Sequence, residues 1–400
     1  MNWPRRIAGT GGRPLGCLRY ALVGALLAGG WQAATVHFNY GGNWTGLFWV
    51  SGTRAMPPEL ARGTYTFHGS TGYDGQFYRL VAHDPWLRRG WWNYQDSAVL
   101  RYTRILVPGL AWLAAAGQDR FIDAAYISIV LFSIFLGIYW LSRWAASHGR
   151  SPAWGLAFLG VPGTLISIDR LTVDVAAIAL CAGWAWYIRS GSPGRLWLVS
   201  ALAGLTRDTG LVLSAACCAH ALRGRRWRQA LGYAAAALPT AAWYVFVWTH
   251  RMRTPAAHGA AVPHWLFRHA AVGIFTELFR PAGYRFAPLL THAVQVLDAV
   301  ALCGMVLALA LAAWDLRKGP LSREHWAMLA FLVVFLAVST PNYWYNVYSY
   351  SRPFSPLLLL VAMPAMAGGS RWRLAPLAML DLRIAAQLAP QLWGILRGIA

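Results

Sequence analysis

Charge is scarce in this 400-residue chain. Asp, Glu, Lys and Arg together make up 12% of it, and Lys318 is its one lysine. A soluble globule carries about 25% charged residues, so the composition excludes that class. Cysteine is sparse too. Cys17, Cys181, Cys217, Cys218 and Cys303 fall inside or at the edges of apolar runs, as small buried hydrophobes do, and give no disulfide frame. There is no Gly-rich nucleotide loop, no solenoid-type repeat and no Ser-His-Asp set recognisable from spacing. Leu15-Gly16-Cys17 has the form of a lipoprotein box, but GTGGRP precedes it where an apolar segment would be needed. No small-residue cleavage site follows the first apolar run, which reads as an uncleaved anchor.

What the chain has is oil. It is 57% hydrophobic with 23 Trp, and several runs approach the roughly 20 residues that span a bilayer as helix. Spans are predicted near 18–36, 121–142, 153–168, 172–189, 195–206, 209–222, 229–249, 288–313, 325–340 and 354–368. The runs 195–206 and 209–222 are short for full crossings. The stretch 374–396, carrying Asp381 and Arg383, reads as an eleventh span or an interfacial helix. The expected fold class is therefore all-α, a polytopic bundle of about 10–11 spans forming a single domain over 1–400. Its outer loops are 37–120 and 250–287, the first holding short juxtamembrane helices. The net charge of +21 comes from arginines scattered between apolar runs. That pattern predicts contact with anionic lipid headgroups and no nucleic-acid partner.

Side assignment follows from the arginines. If 104–117 crossed the membrane, the loop 143–152 and the later RGRRWRQ loop would face outward, against the positive-inside rule. The segment is about 14 residues long with Pro108 inside it, so it is expected to lie at the interface. The N-terminus with Arg5, Arg6 and Arg13 then lies inside. The loop 37–120 and the turns SIDRLTVD, TRDTG and NYWYNVYSYSRP lie outside. The short outer turns carry three arginines, Arg170, Arg207 and Arg352. Asp74, Asp84, Asp169, Asp174 and Asp208 gather on the same face. A charge at membrane depth costs about 2.5–3.5 kcal/mol on insertion scales, so such residues have partners or a task.

In STGYDGQFYRLVAHDP, residues 70–85, a structural reading makes Asp74 the N-cap of a helix over 75–83. Phe77, Leu80 and Val81 would then rest on the membrane, and Asp84-Pro85 would end the helix. The functional reading makes Asp74 a general base between glycines. Arg207 with Asp208, and Arg170 with Asp169 or Asp174, also admit plain ion pairs. Arg352 ahead of Pro353 admits snorkelling to the headgroups. The tyrosines and tryptophans of NYWYNVYSYSRPF read as an aromatic belt or as a wall for sugar faces. His250, His258, His264 and His269 have no zinc-ligand spacing, so no metal or other cofactor is predicted.

GYDGQFYRLVAHDP followed by YTRILVPGLAWLAAAG resembles the first outer loop of bacterial GT-C superfamily glycosyltransferases. These are the membrane enzymes that use polyprenyl-phosphate sugars, such as the protein mannosyltransferase and aminoarabinose transferase types. ALAGLTRDTGLVL is similar to an Arg-acid-Thr turn in other members, including the mannosyltransferases of the glycolipid-anchor pathway. Many relatives carry an Asp-Asp or Asp-Glu pair in this loop, whereas this chain has Asp74 alone, with Asp84 ten positions later. The resemblance implies inverting transfer of a sugar from a polyprenyl-phosphate donor to a hydroxyl on a glycan, lipid or protein. Asp74 would be the base. Arg207, Arg352 and Arg170 would hold the lipid phosphate, and Asp84, Asp174, Asp208, Tyr73 and Gln76 would contact substrate. The expected place is a bacterial inner membrane, with a cytoplasmic N-terminus and a periplasmic site. The alternatives are a transporter or flippase of a lipid-linked glycan intermediate, and a glycan polymerase or ligase.

Overall fold

A computed structural model describes residues 14–251, 272–279, 283–337 and 341–399. Arg5, Arg6 and Arg13, and His258, His264 and His269 of the second outer loop, lie outside the described residues. Those described are helical apart from loops and two short parallel strands, β1 (Val50–Ser51) and β2 (Thr66–Phe67), paired Val50 to Thr66 and Ser51 to Phe67. The all-α class is what the sequence led us to expect.

The long helix α1 (Pro14–Asn39) opens the described chain, and α6 (Asp119–Ala146) closes the first loop at the predicted limits. Between them lie α2 (Pro58–Ala61), α3 (Asp74–His83), α4 (Ala98–Thr103) and α5 (Leu106–Ala114). Next come α7 (Pro162–Arg170), α8 (Asp174–Ser190), α9 (Pro193–Thr206), α10 (Leu211–Arg223), α11 (Trp227–Ala235) and α12 (Leu238–Arg251). The last third holds α13 (Val272–Phe279), α14 (Pro288–Leu316), α15 (Arg323–Ala337), α16 (Pro341–Trp344), α17 (Val347–Met366) and α18 (Ala375–Ile399).

Among the described residues, four stretches are long and apolar enough to cross a membrane by length and composition: Leu15–Asn39, Asp119–Ala146, Trp227–His250 and Pro288–Leu316. Their outward faces leave Leu26, Leu27, Phe132 and Val296 exposed. Against water such a surface would be a liability; against lipid tails it is not. Inside, α6 packs on α1 and α8, α14 lies along α18, and α17 runs between α7, α8 and α18. Trp144, Trp184, Phe158 and Phe354 fill the interior.

Two local outcomes differ from the sequence expectation, and a third stretch is described with them. The run 153–168 is a 3₁₀ segment, Pro152–Gly160, and then α7. Pro162 has no N–H to give, and the residue before it, Val161, is extended (φ −83°, ψ 125°). The stretch 374–396, expected as an eleventh span or an interfacial helix, is the single helix α18, packed against α14, α1, α7 and α17. Finally, α3 does not rest its apolar side outward: Phe77, Leu80 and Val81 are all buried in protein. Its polar side explains why. Arg79 forks onto Asp123 of α6 at 2.7 and 2.8 Å, and His83 sits 3.0 Å from Asp119 and 3.2 Å from Asp123. Partners on α6 draw the helix inward.

Runs 195–206 and 209–222 do form the short helices α9 and α10, each about 20 Å long. They meet at the turn Arg207–Gly210, which sets Arg207 at the tip of a helical hairpin.

Candidate active site

The site is built where the tip of α3 meets α7. Tyr73 is extended and Asp74 is the first helical residue; Asp74 does not cap the helix with its side chain. Gly75 must be glycine for steric reasons. A Cβ there would stand 2.2 Å from the Arg170 carbonyl oxygen and 2.9 Å from that of Phe48. This close approach fixes where Asp74 points, and the helix N-terminus favours its negative charge.

Asp74 is gripped from two sides. The Arg101 guanidinium of α4 places its two terminal nitrogens 2.8 Å from the two carboxylate oxygens. Arg352 of α17 donates a terminal N–H to Asp74 at 2.8 Å. Arg101 also forks onto Asp96 at 2.8 and 2.9 Å. Arg352 approaches Asp174 at 3.5 Å, and its Nε–H is fixed on the Tyr348 carbonyl at 2.6 Å. Arg207 closes the series on the other oxygen of Asp174 in a tight ion pair. The result is an alternating chain, Asp96–Arg101–Asp74–Arg352–Asp174–Arg207, drawn from α4 and the loop before it, α3, α17, α8 and the α9–α10 turn.

Arg104 flanks this chain. It donates to the Tyr78 hydroxyl at 2.8 Å and reaches Asp208 at 3.7 Å, but its buried Nε has no hydrogen-bond partner among the described residues. Asp208 also takes the Tyr244 hydroxyl proton in a hydrogen bond. Burial alone would raise the Asp74 carboxyl, but the charges of Arg352 and Arg101 outweigh it and hold that carboxyl well below the usual carboxylate range.

Arg170 belongs to a neighbouring cluster. Its guanidinium lies flat on the Trp49 ring, 3.2 Å from the centroid, and its Nε–H donates to Asp169 at 2.7 Å. Asp169 also accepts from the Tyr348 hydroxyl at 3.1 Å and Gln391 at 2.8 Å. Tyr73 joins the two clusters: its hydroxyl donates to the Tyr348 carbonyl at 3.0 Å, and its ring faces Arg352 at 4.9 Å.

Of the residues picked out from the sequence, Asp74, Asp174, Arg207 and Arg352 come together, with Tyr73 beside them. Asp208 joins through Arg104. Asp84 and Gln76 are engaged otherwise. Asp84 ends α3 and accepts the backbone N–H groups of Arg88 at 2.8 Å and Arg89 at 3.0 Å. Its burial outweighs those bonds and raises its pKa. Gln76 braces the loop, accepting from the Ser51 N–H at 2.9 Å and donating to the Thr71 carbonyl at 3.2 Å. Arg101, Arg104, Tyr78 and Asp96 are not among the residues picked out. Their signal was present: Arg101 in α4 and Arg104 just after its end lie in a loop read from the sequence as outer, where arginines are disfavoured. Among the described residues, no three of His, Cys, Asp and Glu gather as a metal site.

No protein-family model, no curated protein and no solved structure matches the chain.

Proposed function

We propose that the chain is a GT-C-type membrane glycosyltransferase that moves a sugar from a polyprenyl-phosphate donor to a hydroxyl acceptor with inversion. The observation that carries this reading is a cluster of four buried arginines, two of whose acidic partners lie at the rim. Arg101, Arg104, Arg207 and Arg352 are all at least nine-tenths buried. Asp174 is the fully buried acid among them, and the Asp74 side chain keeps 16% of its surface. Asp96 and Asp208 lie at the rim, one-third and one-half exposed. Four guanidiniums thus face two enclosed carboxylates. A phosphodiester donor brings one negative charge. The departing phosphate monoester reaches about −1.5 to −2 at pH 7. A phosphate that displaces the rim carboxylates from Arg101 and Arg104 would meet buried guanidiniums that complement charge growing as the bond to the sugar breaks, which is the condition for catalysis by differential binding.

In this reading the acceptor oxygen attacks the anomeric carbon on the face opposite the phosphate. The new carbon–oxygen bond forms as the bond to the phosphate oxygen breaks, its electron pair leaving on the polyprenyl phosphate. The acceptor's proton passes to Asp74. A carboxylate clamped by two arginines is a weak base. Donor phosphate on Arg352 competes with Asp74 for that guanidinium and leaves the carboxylate held by Arg101 alone, which raises its proton affinity. Arginine suits the phosphate through its planar fork.

The proposed setting is a bundle of about 10–11 spans in a bacterial inner membrane. The N-terminus is cytoplasmic and α3–α5 lie at the periplasmic face; Arg150, Lys318 and Arg371 at the opposite turns support that orientation. The acidity of Asp74 favours one second reading, a glycan polymerase or ligase that works through the arginines without a carboxylate base.

Transfer of labelled sugar from a panel of polyprenyl-phosphate donors, in membranes holding matched amounts of wild type and Asp74→Asn, tests the proposal. Wild type should transfer, and the variant should lose about 10²–10⁴-fold. Wild-type transfer untouched by the substitution favours the polymerase or ligase reading. No transfer from a panel that serves a control enzyme rejects the glycosyltransferase.

A further inference from the structure

At the end of α8 away from Asp174, a cavity of about 380 Å³ opens between the α8–α9 turn, α11 and the first turn of α15. The 17 residues of α8 put it about 25 Å from the acid–arginine chain. Its volume falls in the range of small-molecule sites, about 300–1,000 Å³. Tyr187, Ser192, Gln229, Tyr233 and Arg323 give it hydrogen-bonding groups, and Trp197 forms part of its wall. The indole N–H of Trp197 donates to the Gly232 carbonyl at 2.9 Å, tying α9 to α11 across the cavity.

Arg323 lines the cavity, and among the described residues its buried Nε has no hydrogen-bond partner. The Arg323 guanidinium rests 5.8 Å from the Tyr233 ring centroid. The Tyr187 hydroxyl accepts from Trp140 at 3.1 Å, which leaves its own hydrogen to give. The surrounding segments hold Arg189, Arg195, Arg225, Arg226 and Arg228 beside Glu324, while Asp315 at the end of α14 is paired with Arg373. Beside the arginines lies bare apolar surface: Leu198, Trp227 and Leu231 are exposed. A seam between lipid-facing apolar residues and arginine is where a phospholipid phosphate lies.

We infer that this cavity binds the phosphate of an anionic phospholipid headgroup, with Arg323 as its principal cation. Free phosphate offers the same oxygens. The apolar rim next to the arginines selects the lipid form, because it gives the acyl chains a surface to follow. The site stands apart from Asp74 and does not depend on any reading of that site.

The test is native mass spectrometry of the purified full-length protein after exchange into detergent with added phosphatidylglycerol or phosphatidylcholine. Wild type, Arg323→Gln and Arg62→Gln, an exposed arginine in the first loop, are compared. Wild type and Arg62→Gln should retain phosphatidylglycerol in preference to phosphatidylcholine. Arg323→Gln should lose that preference by about five- to tenfold, with thermal unfolding of all three alike. A second variant, Gln229→Leu, keeps the charge and removes an amide, and should weaken retention less. Equal retention by wild type and Arg323→Gln overturns the inference. So does displacement of the lipid by inorganic phosphate with no dependence on acyl chains, which would assign the cavity to the free ion.

Discussion

Asp74 holds two guanidiniums on one carboxylate, and removing either side of that arrangement has different consequences. Asp74→Asn leaves Arg101 and Arg352 without their shared anion, and breaking a buried pair in this way costs about 3–5 kcal/mol. A lower thermal midpoint in detergent should accompany its loss of transfer. The pH dependence has a definite sign. The folded pKa of Asp74 lies below its ordinary value, so its stabilisation is complete above the ordinary carboxylate pKa of about 3.9. It is lost only as pH falls through the lowered folded value. Between about pH 8 and pH 5 the unfolding midpoint of wild type should owe no change to this group. Arg101→Gln removes one clamp and raises the folded pKa towards its ordinary value, so the acid-dependent loss should be smaller and end at higher pH, measurable by thermal unfolding across an acid series. Arg104 makes the opposite case: it is buried, its Nε is unpartnered among the described residues, and its nearest acid is 3.7 Å away. In the proposed reaction it has donor capacity to spare for phosphate. Arg104→Gln should weaken binding of polyprenyl phosphate by about tenfold or more, in line with a charge-assisted bond of roughly 1.5–3 kcal/mol, while leaving the folded protein intact. Equal affinity in a direct binding measurement would remove Arg104 from the phosphate site.

Elements decide whether those residues meet. The tip of α3 is pinned on one side by Arg79 and His83 to α6, and on the other by the approach of Gly75 to the Arg170 and Phe48 carbonyls. Gly75→Ala cannot be absorbed by a side-chain rotation, because both neighbours are backbone. The helix must shift, at a cost of about 1–3 kcal/mol, and Asp74 shifts with it. Transfer should fall sharply in Gly75→Ala although the side chains of the site are unaltered. The control is Gly194→Ala on α9, where an added Cβ meets nothing within 4 Å; it should be neutral or slightly stabilising. Much of this was legible in the sequence. The Gly-Tyr-Asp-Gly turn, the helix behind it and its stop at Asp84-Pro85 all follow from local chemistry. The identity of the partners did not follow, because ion pairs such as Arg352–Asp74 join residues 278 positions apart. Arg207 illustrates the difficulty: its sequence neighbour Asp208 looks like its partner, yet the α9–α10 turn points Arg207 at Asp174 and leaves Asp208 for Arg104 and Tyr244. Asp84 was equally opaque, since a buried carboxylate that closes a turn has the same letter as one that waits for substrate.

At the scale of the whole molecule, the side on which each loop lies turns on α5. With nine residues it is about 14 Å long, less than half of the roughly 30 Å hydrocarbon core. Its Val107, Pro108 and Ala111 are buried in protein, while Leu110 and Leu113 are exposed. A helix so short, placed just before α6, cannot carry the chain across alone. Thr53 ahead of it and Gln118 behind it should therefore face the same compartment. Arg150 beyond α6 should face the other, and so should Lys318, because α9 and α10 return the chain to the side it left whether each crosses or the pair re-enters. Single cysteines at these four exposed positions, in a chain freed of its native cysteines, can be labelled with a membrane-impermeant maleimide in intact cells and again after permeabilisation. Labelling of Thr53→Cys and Gln118→Cys from outside, with Arg150→Cys reached only after permeabilisation, would put Asp74 and its arginines on the outer face. Opposite labelling of Thr53→Cys and Gln118→Cys would mean that α5 and its flanks cross after all. The loops after α6 would then invert, and RGRRWRQ would sit outside against the positive-inside rule. A split between Arg150→Cys and Lys318→Cys would instead require an odd number of crossings between them, which results if α9 and α10 together make one broken span rather than a hairpin that returns the chain to the side it left.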